Sequence, residues 1–411
     1  MLAASVPKER QKEAEAELEK FDAFWTSSQM TEEFQNSFIE ISNLMLRKNM
    51  RFFPHFSAFF KAFDAFINSD LSEYDKAWLR ILQYHVNNDL SDFHNVMGNY
   101  VNIFNDNILF KSGSSKWTAY GAVESMGMEK EPYIEYSDID LVGAGSRDSV
   151  EILGTSGRYY PASTRWVGKG GKINWLRAGL PEEKVMATFE DYALDTRQPK
   201  VKIQHATLYY PELLGQPILG TLEDKAGLET DESKVTFPRF RSNDDNLTVR
   251  NIYDNVDYIG GFELRGASIE GDANAEQLAR INIRKGNRVV ASIAAIHFLF
   301  KEETIRANDA RTNIYIETDS TGIDSIYHPS ANFYYNEANS QLLFSRPKYG
   351  VGRSPFFDSY HKMDITVETI AWDLTKDKIE FKPMTGSTNE SPATLNRKTS
   401  STIRPCENCR V

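Results

Sequence analysis

From residue 7 to about 108, apolar side chains recur every three to four positions, the spacing of amphipathic helices. Pro7 suits a first helical turn, and Ala14, Leu18, Phe21 and Trp25 follow on one face. Thr31, three residues before Phe34, opens a second helix striped by Phe34, Phe38, Ile41 and Met45. Pro54 opens a third within a run of Phe52, Phe53, Phe56, Phe59, Phe60, Phe63, Phe66 and Ile67. Ser72 with Asp75 three on is a partial capping signature for a fourth, lined by Leu71, Tyr74, Trp78, Ile81, Leu82 and His85. A fifth runs from about Ser91 with Phe93, Val96, Met97, Tyr100, Val101 and Phe104. Such helices joined by brief polar loops predict an antiparallel bundle or a stack of helical hairpins. The phenylalanine stripe reads as core, and its other possible use is to dock a hydrophobic ligand.

After the small-residue linker KSGSSK (111–116) the period shortens to alternation. The stretch Gly157 to Trp175, GRYYPASTRWVGKGGKINW, sets the theme of this half. Tyr159, Tyr160, Trp166, Val167, Ile173 and Trp175 are strand formers, Pro161 marks an edge or turn, and Gly168, Gly170 and Gly171 let the chain reverse. Arg165–Val167 and Lys172–Leu176 therefore read as the arms of a hairpin or of a sharp β-corner. Looser echoes follow at Val201–Tyr210, at Ile259–Ile269 with a return strand Ala279–Arg284, and at Ser325–Tyr335 with a return strand Gln341–Phe344. Two architectures fit: a stack of repeated units, or a large β-sandwich with aromatic-rich strands. Tyr133–Val142 and Val185–Leu194 add strand signals, the polar Leu219–Ala226 reads as a turn, and Val289–Phe300 is a strand or a short helix. The predicted class is α+β: an N-terminal antiparallel helical bundle (1–110), then an extended, mainly β region as jellyroll, stacked β or sandwich. Its halves span 111–246 and 247–384, and the polar segment 385–411 reads as a disordered tail.

Composition narrows the function classes. The chain has 411 residues, 41% hydrophobic and 12% aromatic, so it can bury sizeable cores. A net charge of -11 argues against a nucleic-acid partner, which calls for a basic patch. No run of about 18 apolar residues is available for a transmembrane helix. The N-terminal MLAASV is too short for a signal h-region and reads as an ordinary frayed end or the remnant of a signal peptide. The two cysteines, Cys406 and Cys409, form a lone CxxC outside the predicted folded part, without the second pair that a zinc ribbon needs.

Candidate chemistry is sparse. Asp138 and Asp140 share a strand face, but a solvated face is the simpler reading, since Ca²⁺ takes six to eight oxygens. His55, His85 and His94 show no HxxxH or HxxE pairing, so no metal and no cofactor is expected. GKGG (168–171) has the composition of a phosphate cradle, but no helix follows it, and a β-turn accounts for it. Flat rings at Trp166, Trp175, Tyr159 and Tyr160 are candidates for stacking on a sugar, with Glu190 accepting its hydroxyls, although aromatic rings also fill β cores.

The run from Trp117 to about Met384, notably YYPASTRWVGKGGKINWLRAGL, VDYIGGFELRGASIEG, DSIYHPSANFYYN and SPFFDSYHKMDI, resembles the N-terminal part of large, uncharacterised cell-envelope proteins of Gram-negative anaerobes, as do the N-terminal helices. In general pattern the strands are also similar to the β-jellyroll of lipopolysaccharide-transport proteins. The resemblance implies an envelope or secreted location; it carries no established activity and transfers no site residues. The extended β surface itself reads as one that recruits a glycan, lipid or envelope-protein partner. The tail ending in CENCRV departs from that pattern, which implies a truncated chain or a shifted frame. The expectation is thus a non-enzymatic binding or scaffold protein. The alternatives are a polysaccharide hydrolase using carboxylates such as Asp138, Asp140 or Glu190, and a structural fragment of a larger protein.

Overall fold

The computed structural model describes residues 6–27, 30–89, 91–301, 303–316, 323–348, 350–376, 378–382 and 394–397. The fold is α+β: an N-terminal helical region followed by antiparallel β structure. The helices are α1 (Gln11–Ser27), α2 (Glu32–Arg47), α3 (Ser57–Ile67), α4 (Asp75–Asn88) and α5 (Phe93–Asp106). Thr31 caps α2, its hydroxyl accepting from the Phe34 N–H at 3.3 Å. Ser72 does not cap α4; it starts a 3-10 turn, Ser72–Tyr74, that runs straight into the helix. Pro54 lies in a wide turn, Phe52–Phe56, ahead of α3. The phenylalanine stripe is core: Phe52, Phe56, Phe59, Phe63 and Phe66 are at most 1% exposed, and they pack on Phe34, Phe38 and Trp78.

The chain separates into two compact units, residues 1–208 with 221–238, and residues 209–220 with 239–411. The helices and the first β region therefore belong to one unit, and the second begins ahead of the expected position 247. In the first unit the strands are β1 (Ile108–Lys111), β2 (Lys116–Tyr120), β3 (Val123–Met128), β4 (Pro132–Ala144), β5 (Ser149–Tyr160), β6 (Arg165–Lys169), β7 (Lys172–Asn174), β8 (Met186–Phe189), β9 (Asp191–Asp195) and β10 (Lys200–Tyr209). Next comes β11 (Ile218–Lys225), a strand where the polar sequence suggested a turn. The second unit carries β12 (Arg239–Ser242), β13 (Leu247–Tyr253), β14 (Val256–Arg265), β15 (Ser268–Asp272), β16 (Ala279–Lys285), β17 (Arg288–Ala295), β18 (His297–Lys301), β19 (Thr304–Ile316), β20 (Asp324–Asn336), β21 (Gln341–Ser345), β22 (Phe356–Asp358), β23 (Met363–Thr366), β24 (Thr369–Asp373) and β25 (Lys378–Lys382). Of the expected tail, only β26 (Thr394–Arg397) is described, paired with β23; the rest, Cys406 and Cys409 included, lies outside the described residues.

The first unit is organised by the long hairpin β4–β5, which bends in its middle. Asp138 takes φ 51° and Gly154 φ 60°, and the register slips on both sides of Ile139. Bulges of this kind let one strand serve two sheets. On one edge β4 meets β3 with its first half and β2 with its second. On the other edge β5 meets β6 with its last residues and β7 at Leu153. Hence β6 and β7 are not partners of each other: β6 continues to β9 and β7 to β8. The glycine corner at 170–171 is thus a β-corner, not a hairpin; Gly170 and Gly171 take φ 68° and 128°, and the Gly170 N–H donates to Glu190 O at 2.7 Å.

The run β17–β24 repeats the run β2–β9 pairing for pairing. The long hairpin β19–β20 bends at Asp309, φ 51°, and meets β17 and β18 on one edge, β21 and β22 on the other. Then β21 continues to β24, and β22 to β23. The details recur as well. Each bend joins an aspartate to a serine: the Asp138 N–H donates to Ser156 Oγ, and Ser330 Oγ donates to Asp309 Oδ1, both at 3.0 Å. Each turn after the long hairpin ends in a non-glycine residue at positive φ, Thr164 at 52° and Ser340 at 50°. Its carbonyl accepts the N–H that follows the last paired strand, from Thr196 at 3.0 Å and from Leu374 at 2.9 Å. The cross-strand row Ile134–Tyr159–Trp166–Leu194 is matched by Ile305–Tyr335–Leu342–Trp372. The repetition suspected from aromatic and glycine units is therefore of this larger frame.

Glycine supplies the space for the rings. Gly157 and Gly168 are directly paired across β5 and β6, and the Trp166 indole and Tyr192 ring lie over them. The same device places Trp117 over Gly143, Tyr133 over Gly127, and Tyr258 over Gly260 and Gly271.

Candidate functional site

The rings singled out from sequence lie inside. Trp166, Trp175 and Tyr159 are 0% exposed and Tyr160 is 8% exposed, so they present no open face to a sugar. Tyr159 and Trp166 face the core as a cross-strand pair in the row with Ile134 and Leu194, whereas Tyr160 is paired with Arg165 and Trp175 follows β7 at the start of a 3-10 turn. Trp166 Nε1–H donates to the Tyr192 hydroxyl at 2.9 Å, which also meets Thr155 Oγ1 at 2.8 Å; Thr155 in turn bonds Gly170 O at 2.8 Å. This chain ties β5, β6, β9 and the glycine corner together.

Burial pushes the Tyr192 phenol up to about 12, against the two hydrogen bonds that favour its ionised form. The folded state therefore holds the proton more tightly than the unfolded chain, whose tyrosine titrates near 10. That contribution is whole below pH 10 and is lost as pH rises through 12, an effect of about 2–3 kcal/mol for this one group. Thermal unfolding followed from pH 9 to 11 is expected to fall more steeply for the native chain than for Tyr192→Phe; parallel curves would contradict the assignment.

The carboxylates proposed for the hydrolase alternative, Asp138, Asp140 and Glu190, line none of the three main concavities among the described residues. Asp138 and Asp140 are exposed at the bend, where Asp140 Oδ1 accepts from the Gly154 N–H at 2.9 Å, and Glu190 is exposed at the glycine corner. Both aspartates thus help to set the bulge. His85 is buried between Asp89 Oδ2 (2.7 Å) and the Tyr100 hydroxyl (3.1 Å), and the His55 ring lies near Phe93. Among the described residues no group of histidine, cysteine and carboxylate side chains has the geometry to hold a metal. Arg177 centres a structural ionic cluster: its Nη1 meets Asp148 at 2.7 Å and Ser149 O at 2.8 Å, while its Nη2 pairs with the nearly inaccessible Asp224.

Two concavities differ in character. An apolar groove of about 620 Å³ runs between α1 and α2, lined by Leu18, Phe21, Trp25, Phe38 and Ile39 with Glu19 and Asp22 at its rim. Ile39 is 48% exposed, so the groove is shallow. The second is a polar cleft of about 560 Å³. One wall is α5 with the Asp92 that precedes it, presenting Asp92, His94, Asn95, Gly98, Asn99 and Asn102; the other comprises Phe110 and Lys111 of β1, the 162–164 turn, and Arg197 after β9.

The helix wall follows from spacing. Asn95, Asn99 and Asn102 fall at i, i+4 and i+7 and share one face, opposite the buried Val96, Met97, Tyr100 and Ile103. The Asn99 amide donates to Pro161 O at 3.0 Å, tying the helix to the turn that forms the facing wall. Asn95 donates to Asp92 Oδ1 at the start of the helix. Among the described residues, the side chains of His94, Asn102, Lys111 and Ser163 have no hydrogen-bond or ionic partner. Gly98 lies in the middle of this face, and a Cβ built on it meets nothing within 4 Å. A mid-helix glycine costs about 1 kcal/mol relative to alanine, and no close approach of backbone accounts for it here. What it provides is room. Sequence reading followed the apolar stripe of α5 and passed over the three asparagines and the glycine on its other face, which were the available signal.

No family profile, curated protein or solved structure matches the chain.

Proposed function

We propose that the protein binds a small hydroxyl-rich ligand of saccharide class in the α5 cleft, without chemical turnover. Gly98 carries this reading: it is a costly residue for a helix interior, it is open to the cleft, and asparagines flank it on the same face. Side-chain amides offer a donor and an acceptor side by side, as vicinal hydroxyls require, and the half-buried Phe110 adds an apolar wall. The volume falls in the range of small-molecule sites. Asp92 is the single carboxylate among the lining residues, whereas glycoside hydrolysis uses a facing pair; this favours binding over the hydrolase alternative. We further read the chain as an envelope or secreted scaffold, in line with the resemblance noted above, and each β region as a sandwich joined through its bent hairpin.

The test separates folding from binding. Gly98→Ala is expected to raise stability by about 1 kcal/mol. Gly98→Leu is expected to fold and to abolish saccharide binding by filling the cleft. Asn102→Ala is expected to weaken binding about tenfold, the worth of a hydrogen bond or two to a ligand. Calorimetric titration against a panel of mono- and disaccharides reads both. Binding that survives Gly98→Leu would place the ligand elsewhere and overturn the proposal.

A further inference from the structure

Building on the saccharide reading of the same cleft, we infer that its ligand carries one anionic group, a carboxylate or a phosphate, seated against the β wall. The two walls differ in charge. The helix wall offers amides, the His94 imidazole and Asp92, whose carboxylate already accepts from Asn95. The β wall offers the two cations of the lining, Lys111 and Arg197. Topology puts these together: Lys111 ends β1, the turn that follows returns to Ser115, and Ser115 Oγ donates to Thr196 O at 3.2 Å, next to Arg197.

The cations are in a state to receive a ligand. Lys111 is exposed and has no partner among the described residues. Arg197 is held in place by Asp195: Nε donates to both carboxylate oxygens at 2.9 Å, and Nη2 to Oδ2 at 2.6 Å. That pair orients the guanidinium at an exposed position, its side chain 66% accessible, and leaves Nη1 without a partner among the described residues. Asp195 offsets the Arg197 charge, so Lys111 supplies the net positive charge and Arg197 a directed donor. A neutral sugar could take hydrogen bonds from this wall but would leave the Lys111 charge uncompensated, whereas an anionic group matches it.

Glucose, glucuronate and glucose 6-phosphate are the probes, titrated against the full chain, Lys111→Gln, Arg197→Gln and Gly98→Leu at two salt concentrations. Glucuronate or glucose 6-phosphate is expected to bind about tenfold more tightly than glucose. That advantage should vanish in Lys111→Gln, shrink in Arg197→Gln and diminish at higher salt, and Gly98→Leu should block all three ligands. Which anion gains more identifies carboxylate or phosphate as the natural group. Equal binding of glucose and the charged probes, blocked by Gly98→Leu, would overturn the inference and leave the saccharide site standing. An anionic advantage that persists in both charge variants would also overturn it. Absence of binding by any probe, or binding indifferent to Gly98→Leu, would remove both.

Discussion

Replacing Gly168 by alanine is expected to destabilise the first unit by about 3 kcal/mol or more, while Gly170→Ala, two residues away, costs about 1 kcal/mol. The two glycines serve different purposes. A Cβ at Gly168 would overlap the Tyr192 ring and the Trp166 indole nitrogen, both fixed by the hydrogen bond between them. Both rings are buried, Trp166 fully and Tyr192 to within 7%, and the Trp166 indole already lies against Gly157 on the neighbouring strand, where an added Cβ would meet it at 2.7 Å. Relief therefore requires separating β6 from β9 or breaking the Trp166–Tyr192–Thr155 chain. Gly170 has φ 68° and open space around it, so alanine there suffers only the backbone penalty of a left-handed conformation. Denaturant unfolding with near-ultraviolet circular dichroism separates the cases. Equal losses for the two variants would show that the glycines are needed for the turn alone and that the ring-over-glycine packing contributes little.

That pair of residues also shows how far the sequence could be read. Alternation and aromatic content placed most strands, because a strand with one buried face must alternate. The association of rings with glycines was visible too, and the structure supplies its physical reason: a bulky ring on one strand needs a vacancy on the next. What alternation cannot report is a bend. Arg165–Val167 and Lys172–Leu176 read equally as arms of a hairpin or of a β-corner in sequence; the bulges at Asp138 and Gly154 decide for the corner, because they send the shared neighbour β5 into two sheets and each arm takes a different partner. The repeated frame was hidden for a related reason. Its matching positions keep shape and not identity: in the row opposite Tyr159 the indole is on β6, whereas opposite Tyr335 it is on β24.

The site was less legible than the fold. Trp166, Trp175, Tyr159 and Tyr160 attracted attention by residue type, and residue type alone does not say which side of a sheet a ring occupies. The cleft is built from α5, β1 and two turns far apart in sequence, so only the α5 portion left a local trace, the asparagines at 95, 99 and 102 around Gly98. Lys111 and Arg197 become neighbours through Ser115 and Thr196, a contact across 81 positions that no spacing rule contains.

The same limit conceals the residue whose loss should be felt most. Arg177→Leu is expected to cost about 3–5 kcal/mol, the penalty for leaving buried carboxylates without their cation. Arg177 sits in a 3-10 turn, Leu176–Ala178, with a side chain only 20% accessible. It reaches Asp148, whose side chain is 16% accessible, and Asp224, at 2%. Asp224 explains why Leu219–Ala226 was misread. Along β11 the inward positions are Ile218, Gly220, Leu222 and Asp224, and the last looks like a surface residue until its cation is known. Asp148 is held further by N–H donors from Ser149 and, at 2.8 Å, from Gly227. Removing the guanidinium strands both aspartates and also frees the carbonyls of Ser149 and Lys225 that it satisfies. Removing a carboxylate along with the cation lessens the imbalance, so Arg177→Leu with Asp224→Leu is expected to recover part of the stability lost in Arg177→Leu alone. Urea titration of the native chain, both single variants and the double variant supplies the cycle. An additive double variant, or a loss below about 1 kcal/mol for Arg177→Leu, would mean that water reaches these carboxylates and that the cluster behaves as a surface ion pair.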